Sequence, residues 1–342
     1  MQREKGDNMM IFGIPAAIIA SIVLGLSYAV LFTEKMNRAV AAMLGASAMV
    51  LLGVLSFDEA LKGIDFNTIA LLTGMMIMVG IAEQSGVFQY MAVKSAKVVN
   101  ANPRGLLAAL GVATAVLSAF LDNVTTVLLI VPVTIEIARK LKVEPYPFLL
   151  MEIFASNIGG TATLIGDPPN ILIGGAVGLS FTDFLKELTL LVAITLGLLL
   201  LGFDFLCGRK MKASDRARKA VMKIDERKMI TDPVLMKKSG AVLGLAIAGF
   251  LAAEHLHIAN GTIALFGAAL LLALATLGQS HEERDRQVEA AFDRVDWTTI
   301  FFFTGLFALV YGLEVTGVLE MLGEKALLLV DGSVQKAAFL IL

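Results

Sequence analysis

The sequence predicts an all-α polytopic membrane protein, and three observations carry that prediction. Hydrophobic residues make up 57% of the 342 positions and charged residues only 17%, whereas soluble domains carry about 25% charge. Apolar runs recur at lengths of roughly 17 to 25 residues, which an α-helix needs to cross about 30 Å of hydrocarbon. The charges gather between those runs. A net charge of -2 says little about partners, and no nucleic-acid partner is expected. One cysteine, Cys207, excludes a disulfide framework and a thiolate-rich metal site.

The plain runs are 11–32, 39–57, 68–84, 184–206, 239–253, 262–277 and 298–316. The first follows MQREKGDNMM without a small-residue cleavage pattern, so it reads as a span and not as a removed signal. Between the third and fourth runs lie two interrupted units. The first, 104–141, has apolar arms on both sides of Asp122-Asn123; the second, 146–178, is one span broken near its middle by Asp167 and a Pro168-Pro169 pair. Polar backbone left unsatisfied in hydrocarbon costs several kcal/mol per group, so these interruptions require a compensating role. An intramembrane ionisable residue is functional by default.

Lys and Arg accumulate on the cytoplasmic side of a membrane. Residues 209–238 hold eleven of them, which places this basic linker in the cytoplasm. Counting back through the spans puts Lys94, Lys97, Arg104 and the loop RKLKVEP (139–145) inside. The acidic loop FDEALKGID (57–65) and the N-terminus then fall outside, for a multi-pass protein of the cytoplasmic membrane. The parity is the same whether 104–141 crosses twice or dips in and returns.

An internal repeat organises the chain. IDFNTIALLTGMMIMVGIAEQSGV at 64–87 aligns without gaps to VDWTTIFFFTGLFALVYGLEVTGV at 295–318, pairing Asp65 with Asp296, Thr68 with Thr299, Gly74 with Gly305, Glu83 with Glu314 and Gly86 with Gly317. Apolar bias alone would not put Asp, Thr, Glu and Gly in one register. An odd number of crossings precedes the linker, so the second copy is expected to be inverted, a recurrent plan of secondary transporters. The expected division is a first repeat over 11–206, the linker over 207–238 and a second repeat over 239–342. At the same offset the counterpart of Asp122 would fall beyond Leu342. The second repeat is therefore expected to be truncated, with half of the binding chemistry missing.

The motifs SAFLDNVTTVLLIVPVTIEIARKL (118–141) and NIGGTATLIGDPPNILI (157–173) resemble the ion-transporter superfamily, in particular the group of arsenite-efflux permeases, sodium/proton antiporters and the melanosomal P protein. The resemblance implies that the first motif caps a re-entrant hairpin, that the second breaks a helix, and that the two meet near mid-membrane. It also implies a homodimer. Carried over, the substrate and ion site comprises Asp122, Asn123, Thr125 and Thr126 at the tip, with Asn157, Gly159, Gly160, Thr161, Gly166, Asp167 and Asn170 at the break.

Helix chemistry supports those positions independently. Asn123 or Asp122 suits a cap for an arm starting near Val124, and Asp167 suits a cap before a proline at the first helical turn. Two helix N-termini would aim positive dipole ends at the site, while the C-terminal carbonyls ending near Leu121 and Asn157 would favour a cation. Asp122 is the expected coupling carboxylate, and Asp167 the second candidate. No resident cofactor, metal or catalytic residue is expected; the coupling ion is H⁺ or Na⁺, with Na⁺ held transiently at Asp122 and Asn123.

Elsewhere, Glu136 is expected to pair with Arg139, Glu83 and Glu314 to hold the repeats, Glu152 to line the cytoplasmic entrance, and Met75, Met76 and Met78 to pack. His255 and His257 suit a solvated turn, and Asp204 receives no role. The leading expectation is an ion-coupled antiporter for a small inorganic anion or metalloid such as arsenite, which would bind as its neutral hydroxide through hydrogen bonds, since one cysteine cannot supply three-thiolate chelation. A Na⁺/H⁺ antiporter is the alternative. An intramembrane aspartyl protease would need Gly-x-Gly-Asp, and the stretch here is Leu164-Ile165-Gly166-Asp167.

Overall fold

The computed structural model describes residues 10, 11 and 13–330, and all of its regular structure is helical but for one antiparallel pair of two-residue strands (Met10–Ile11 with Ile14–Pro15). In chain order the helices are α1 (Ala16–Thr33), α2 (Arg38–Leu51), α3 (Phe57–Lys62), α4 (Phe66–Gln84), α5 (Val87–Val98), α6 (Pro103–Ser118), α7 (Asn123–Leu141) and α8 (Tyr146–Gly160). They continue with α9 (Pro168–Val177), α10 (Phe181–Leu206), α11 (Asp215–Met222), α12 (Pro233–Leu256), α13 (Asn260–Thr276), α14 (His281–Phe292), α15 (Trp297–Val315) and α16 (Val318–Val330). Among the described residues five of these, α1, α4, α10, α12 and α15, are long and apolar enough to span a bilayer. The runs at 39–57 and 262–277 correspond to shorter apolar helices, α2 and α13. The chain is an all-α, multi-pass membrane protein.

The residues divide into two compact units. One joins the described residues up to Ile69 to those from Asp296 onward; the other is Ala70–Val295. In the first unit α15 lies against α2, because Gly305 lets the two backbones touch: a Cβ there would come within 2.7 Å of the Ala42 carbonyl carbon. Ala20, Met49, Leu55, Leu309 and Leu313 form the core between them. Arg38 donates to the Thr299 hydroxyl at 2.7 Å and pairs with Asp296 at 3.5 Å.

In the second unit α6, α7 and α8 enclose Leu106, Leu110, Ile130, Ile137, Phe148 and Met151, with Val221 of α11 closing one side. Gly74 brings α4 against the backbone of α13 at Ala264, as Gly305 does for α15 and α2. Arg104 at the start of α6 holds Asp204 at the end of α10 in a two-pronged bond (2.5 and 2.7 Å), and Arg209 joins it at 3.4 Å. The linker is folded onto this unit. Lys97 of α5 pairs with Glu226, Arg218 donates to the Asn100 carbonyl at 3.2 Å, and Thr231 N donates to Ser85 O at 2.9 Å.

The two aligned segments share local geometry. Each helix starts at an aspartate cap, Asp65 accepting from Thr68 N and Asp296 from Thr299 N, and in both the threonine hydroxyl also donates to the carboxylate. Each pair of helices turns on a left-handed glycine, Gly86 (φ 79°) between α4 and α5 and Gly317 (φ 74°) between α15 and α16. An L side chain is strained there.

Candidate substrate and ion site

Residues 119–122 join α6 to α7 as a helix hairpin, and residues 161–167 separate α8 from α9. Asp122 is the residue that caps α7: its Oδ1 accepts from Thr125 N at 2.9 Å, and its carbonyl accepts from the Thr126 hydroxyl at 2.9 Å. The α7 arm thus begins at Asn123, one residue before the expected Val124. Asn123 reaches across to the break, where its Nδ2 donates to Asn157 Oδ1 at 2.9 Å; Asn157 Nδ2 in turn donates to the Ile153 carbonyl at 2.8 Å. The hairpin tip and the broken helix therefore meet side chain to side chain.

Behind that contact the two motifs are laced together through backbone carbonyls. Ser118 donates to the Ser156 carbonyl at 2.7 Å, Thr163 donates to the Ala119 carbonyl, and the Thr163 hydroxyl accepts from Gly166 N at 3.1 Å. Glycines allow this approach. A Cβ on Gly159 would lie 2.5 Å from the Ala115 Cα, and one on Gly166 would lie 2.5 Å from the Gly160 carbonyl and 2.6 Å from that of Ser118.

Asn170 closes the break. Its Nδ2, on the first turn of α9, faces the Gly160, Thr161 and Thr163 carbonyls at 3.2, 3.4 and 2.9 Å. Helix α8 runs on to Gly160, past the expected end near Asn157. Its last carbonyls, which a helix end leaves without partners, are taken up by Asn170 and by the Thr161 hydroxyl, which donates to Asn157 O at 2.9 Å.

Asp167 stands at the N-cap position of α9 but its side chain makes no capping bond. The reason is chemical: an N-cap carboxylate bonds the N–H of the second or third helical residue. Here the second is Pro169, which has none, and Asn170 N is held by the Asp167 carbonyl at 3.0 Å. The prolines also leave the α9 N-terminus with its dipole and few donors. Asp167 and Asp122 are both partly exposed.

A cavity of about 180 Å³ opens beside the tip. Asp122, Thr125 and Leu121 of the hairpin line it, with Met75, Met76, Val79, Gly80 and Glu83 of α4, Ile165 and Ile171 of the break, and Arg294. It brings Asp122 and Thr125 together with a residue that sequence reasoning missed, Arg294, whose Nη1 donates to Glu83 Oε2 at 2.7 Å. The signal available for it was its place one residue before the second copy of the repeated segment. Asn157 and Thr161 are exposed, while Thr126 and Asn170 are buried within their own bonds.

Among the remaining residues some depart from expectation and others follow it. Glu136 pairs with Lys140 at 2.7 Å, four residues on, and not with Arg139, three residues on. Glu152 is fully buried and lines no entrance; Thr134 donates to its Oε1 at 2.5 Å, and its Oε2 has no partner among the described residues. Asp204, given no role, ties α10 to α6. His255 belongs to the last turn of α12, and His257 caps that helix with φ 52°. Met75 and Met78 are buried as packing residues, although Met75 also borders the cavity.

Comparison with known proteins identifies relatives along nearly the whole chain. The sequence pattern of a family described as citrate transporter matches residues 28–342. An uncharacterized transporter of Mycobacterium tuberculosis is 40% identical over 330 residues, covering 95% of this chain and 75% of its own. A 46 kDa membrane protein of Mycobacterium leprae is 38% identical over 321 residues, with 92% and 72% covered. The human P protein is 31% identical over 388 aligned positions that take in 91% of this chain and 45% of that longer protein.

Proposed function

Because the chain belongs to the citrate transporter family of the ion-transporter superfamily and is a membrane transporter, we propose that it is an ion-coupled antiporter for a small oxygen-rich solute. The solutes to try first are citrate, which the family description names, and arsenite. Both present several oxygens to hydrogen-bond donors. The observation that carries this reading is the meeting of the hairpin tip with the helix break at Asn123 and Asn157, with Asp122 beside the cavity.

In this reading the N-terminus of α7 supplies N–H groups and a positive dipole end to the solute's oxygens. Asp122 takes up H⁺ or Na⁺ as the solute leaves, and Asp167 assists as a second carboxylate. Residues 104–141 form a re-entrant hairpin, and the two repeats are inverted relative to each other. The protein sits in the cytoplasmic membrane with its N-terminus outside and residues 209–238 in the cytoplasm, and it acts as a homodimer.

Reconstitution into proteoliposomes tests the reading. Uptake of labelled citrate or arsenite driven by an imposed pH or Na⁺ gradient is expected, and D122N is expected to abolish the dependence on that gradient. Gradient-independent uptake in the wild type would sink the coupling mechanism. Na⁺-driven proton movement with neither solute present would assign Na⁺/H⁺ exchange instead.

A further inference from the structure

The Glu83–Arg294 pair has no task in the coupling mechanism, yet both residues line the cavity that holds Asp122 and Thr125. Arg294 is built into that wall. Its aliphatic stem crosses α4 at Gly80, where a Cβ would lie 2.6 Å from the Arg294 Cβ and 2.8 Å from its Cγ. Glycine at position 80 is what lets the guanidinium lie along the helix and reach Glu83 one turn on.

An arginine presents five N–H donors in a planar fork suited to carboxylates and other oxyanions. Glu83 engages one of its terminal nitrogens, and that is the guanidinium's one hydrogen bond among the described residues. About half of the Arg294 side chain remains accessible (48%), against 21% for Glu83. The remaining donors are therefore open to a second oxyanion. The other ionisable group on the cavity wall is Asp122, so an anion entering beside two carboxylates needs this one positive charge.

We propose that Arg294 is a substrate-recruiting residue, forming a vestibular site for a carboxylate or oxyanion, with Glu83 as the internal competitor that the incoming anion displaces. The site rests on the transport reading for its ligand and adds to it a specificity for charged over neutral solutes. The competition sets the signs of the two substitutions. Removing Arg294 removes the site, whereas removing the charge of Glu83 frees the guanidinium and strengthens the site.

Equilibrium binding of labelled citrate to the purified protein tests this, with proteoliposome uptake measured beside it. Citrate affinity is expected to fall about tenfold or more in R294Q, to fall less in R294K, and to rise severalfold in E83Q. The double variant is expected to match R294Q. A purely structural ion pair would weaken binding in both single variants alike, and that result overturns the proposal. Unchanged affinity in both, or wild-type protein that binds no citrate, overturns it too. The expected pattern of affinities in a wild type that moves no citrate would leave the vestibular site standing and remove the transport reading.

Discussion

Asp122 combines two duties that substitution can separate. Its Oδ1 caps α7 through Thr125 N, and an asparagine amide oxygen accepts that bond as well as a carboxylate does. D122N is expected to keep stability within about 0.5 kcal/mol while losing ion coupling, whereas D122A also loses about 1 kcal/mol of helix capping. Thermal unfolding in detergent, read beside gradient-driven uptake, distinguishes the two. Glu152 has the opposite balance. It is fully buried with one carboxyl oxygen unpartnered among the described residues, and an apolar replacement of like shape removes that cost. The pair E152M/T134V is expected to match or exceed wild-type stability, while T134V alone, which strips Glu152 of its one hydrogen bond, is expected to lose about 1 to 3 kcal/mol. Chemical denaturation of the three proteins decides it.

Among the helices, closeness depends on single glycines. At Gly159 the backbones of α8 and α6 touch, an approach that small residues permit in membrane helices. G159V is expected to cost about 3 kcal/mol or more, beyond ordinary overpacking because the obstacle is backbone, and to reduce the yield of folded protein on size exclusion. At this scale the sequence was most informative. Apolar runs and caps located the helices, and Asp122 and Asn157 stood out as polar residues in apolar surroundings. The side-chain bonds were harder to foresee. Thr134 and Glu152 lie on different helices, and no local pattern announces their meeting. Asp167 was expected to cap α9 and does not, because a proline at the second helical position has no N–H to give. Arg294 was hidden because its stem needs Gly80, which is more than two hundred residues away.

For the whole molecule, the basic linker is a docked part of the second unit. Lys97 bonds Glu226 and holds its carboxyl below the usual carboxylate range. A depressed folded-state pKa means the contact supports docking above the unfolded-state value and is lost as pH falls through the lower, folded-state one. Exchange protection at residues 226–231, corrected for the intrinsic rate, is therefore expected to drop on acidification below about pH 4, the range in which an ordinary Glu titrates. In E226Q the acid-dependent part of that drop is expected to vanish, and protection already low at neutral pH would be its counterpart.

Each compact unit draws on sequence from both sides of the stretch at 212–214, which has no helical structure and of which only Ala213 packs on the core. In the first unit α2 is packed on α15, and in the second α4 is packed on α13. A cut in that stretch would sever one peptide bond and leave every one of these packing surfaces in place. Two separately encoded polypeptides, 1–213 and 214–342, are thus expected to find each other in the bilayer and copurify through a tag on either piece, so that the peptide connection serves assembly more than cohesion.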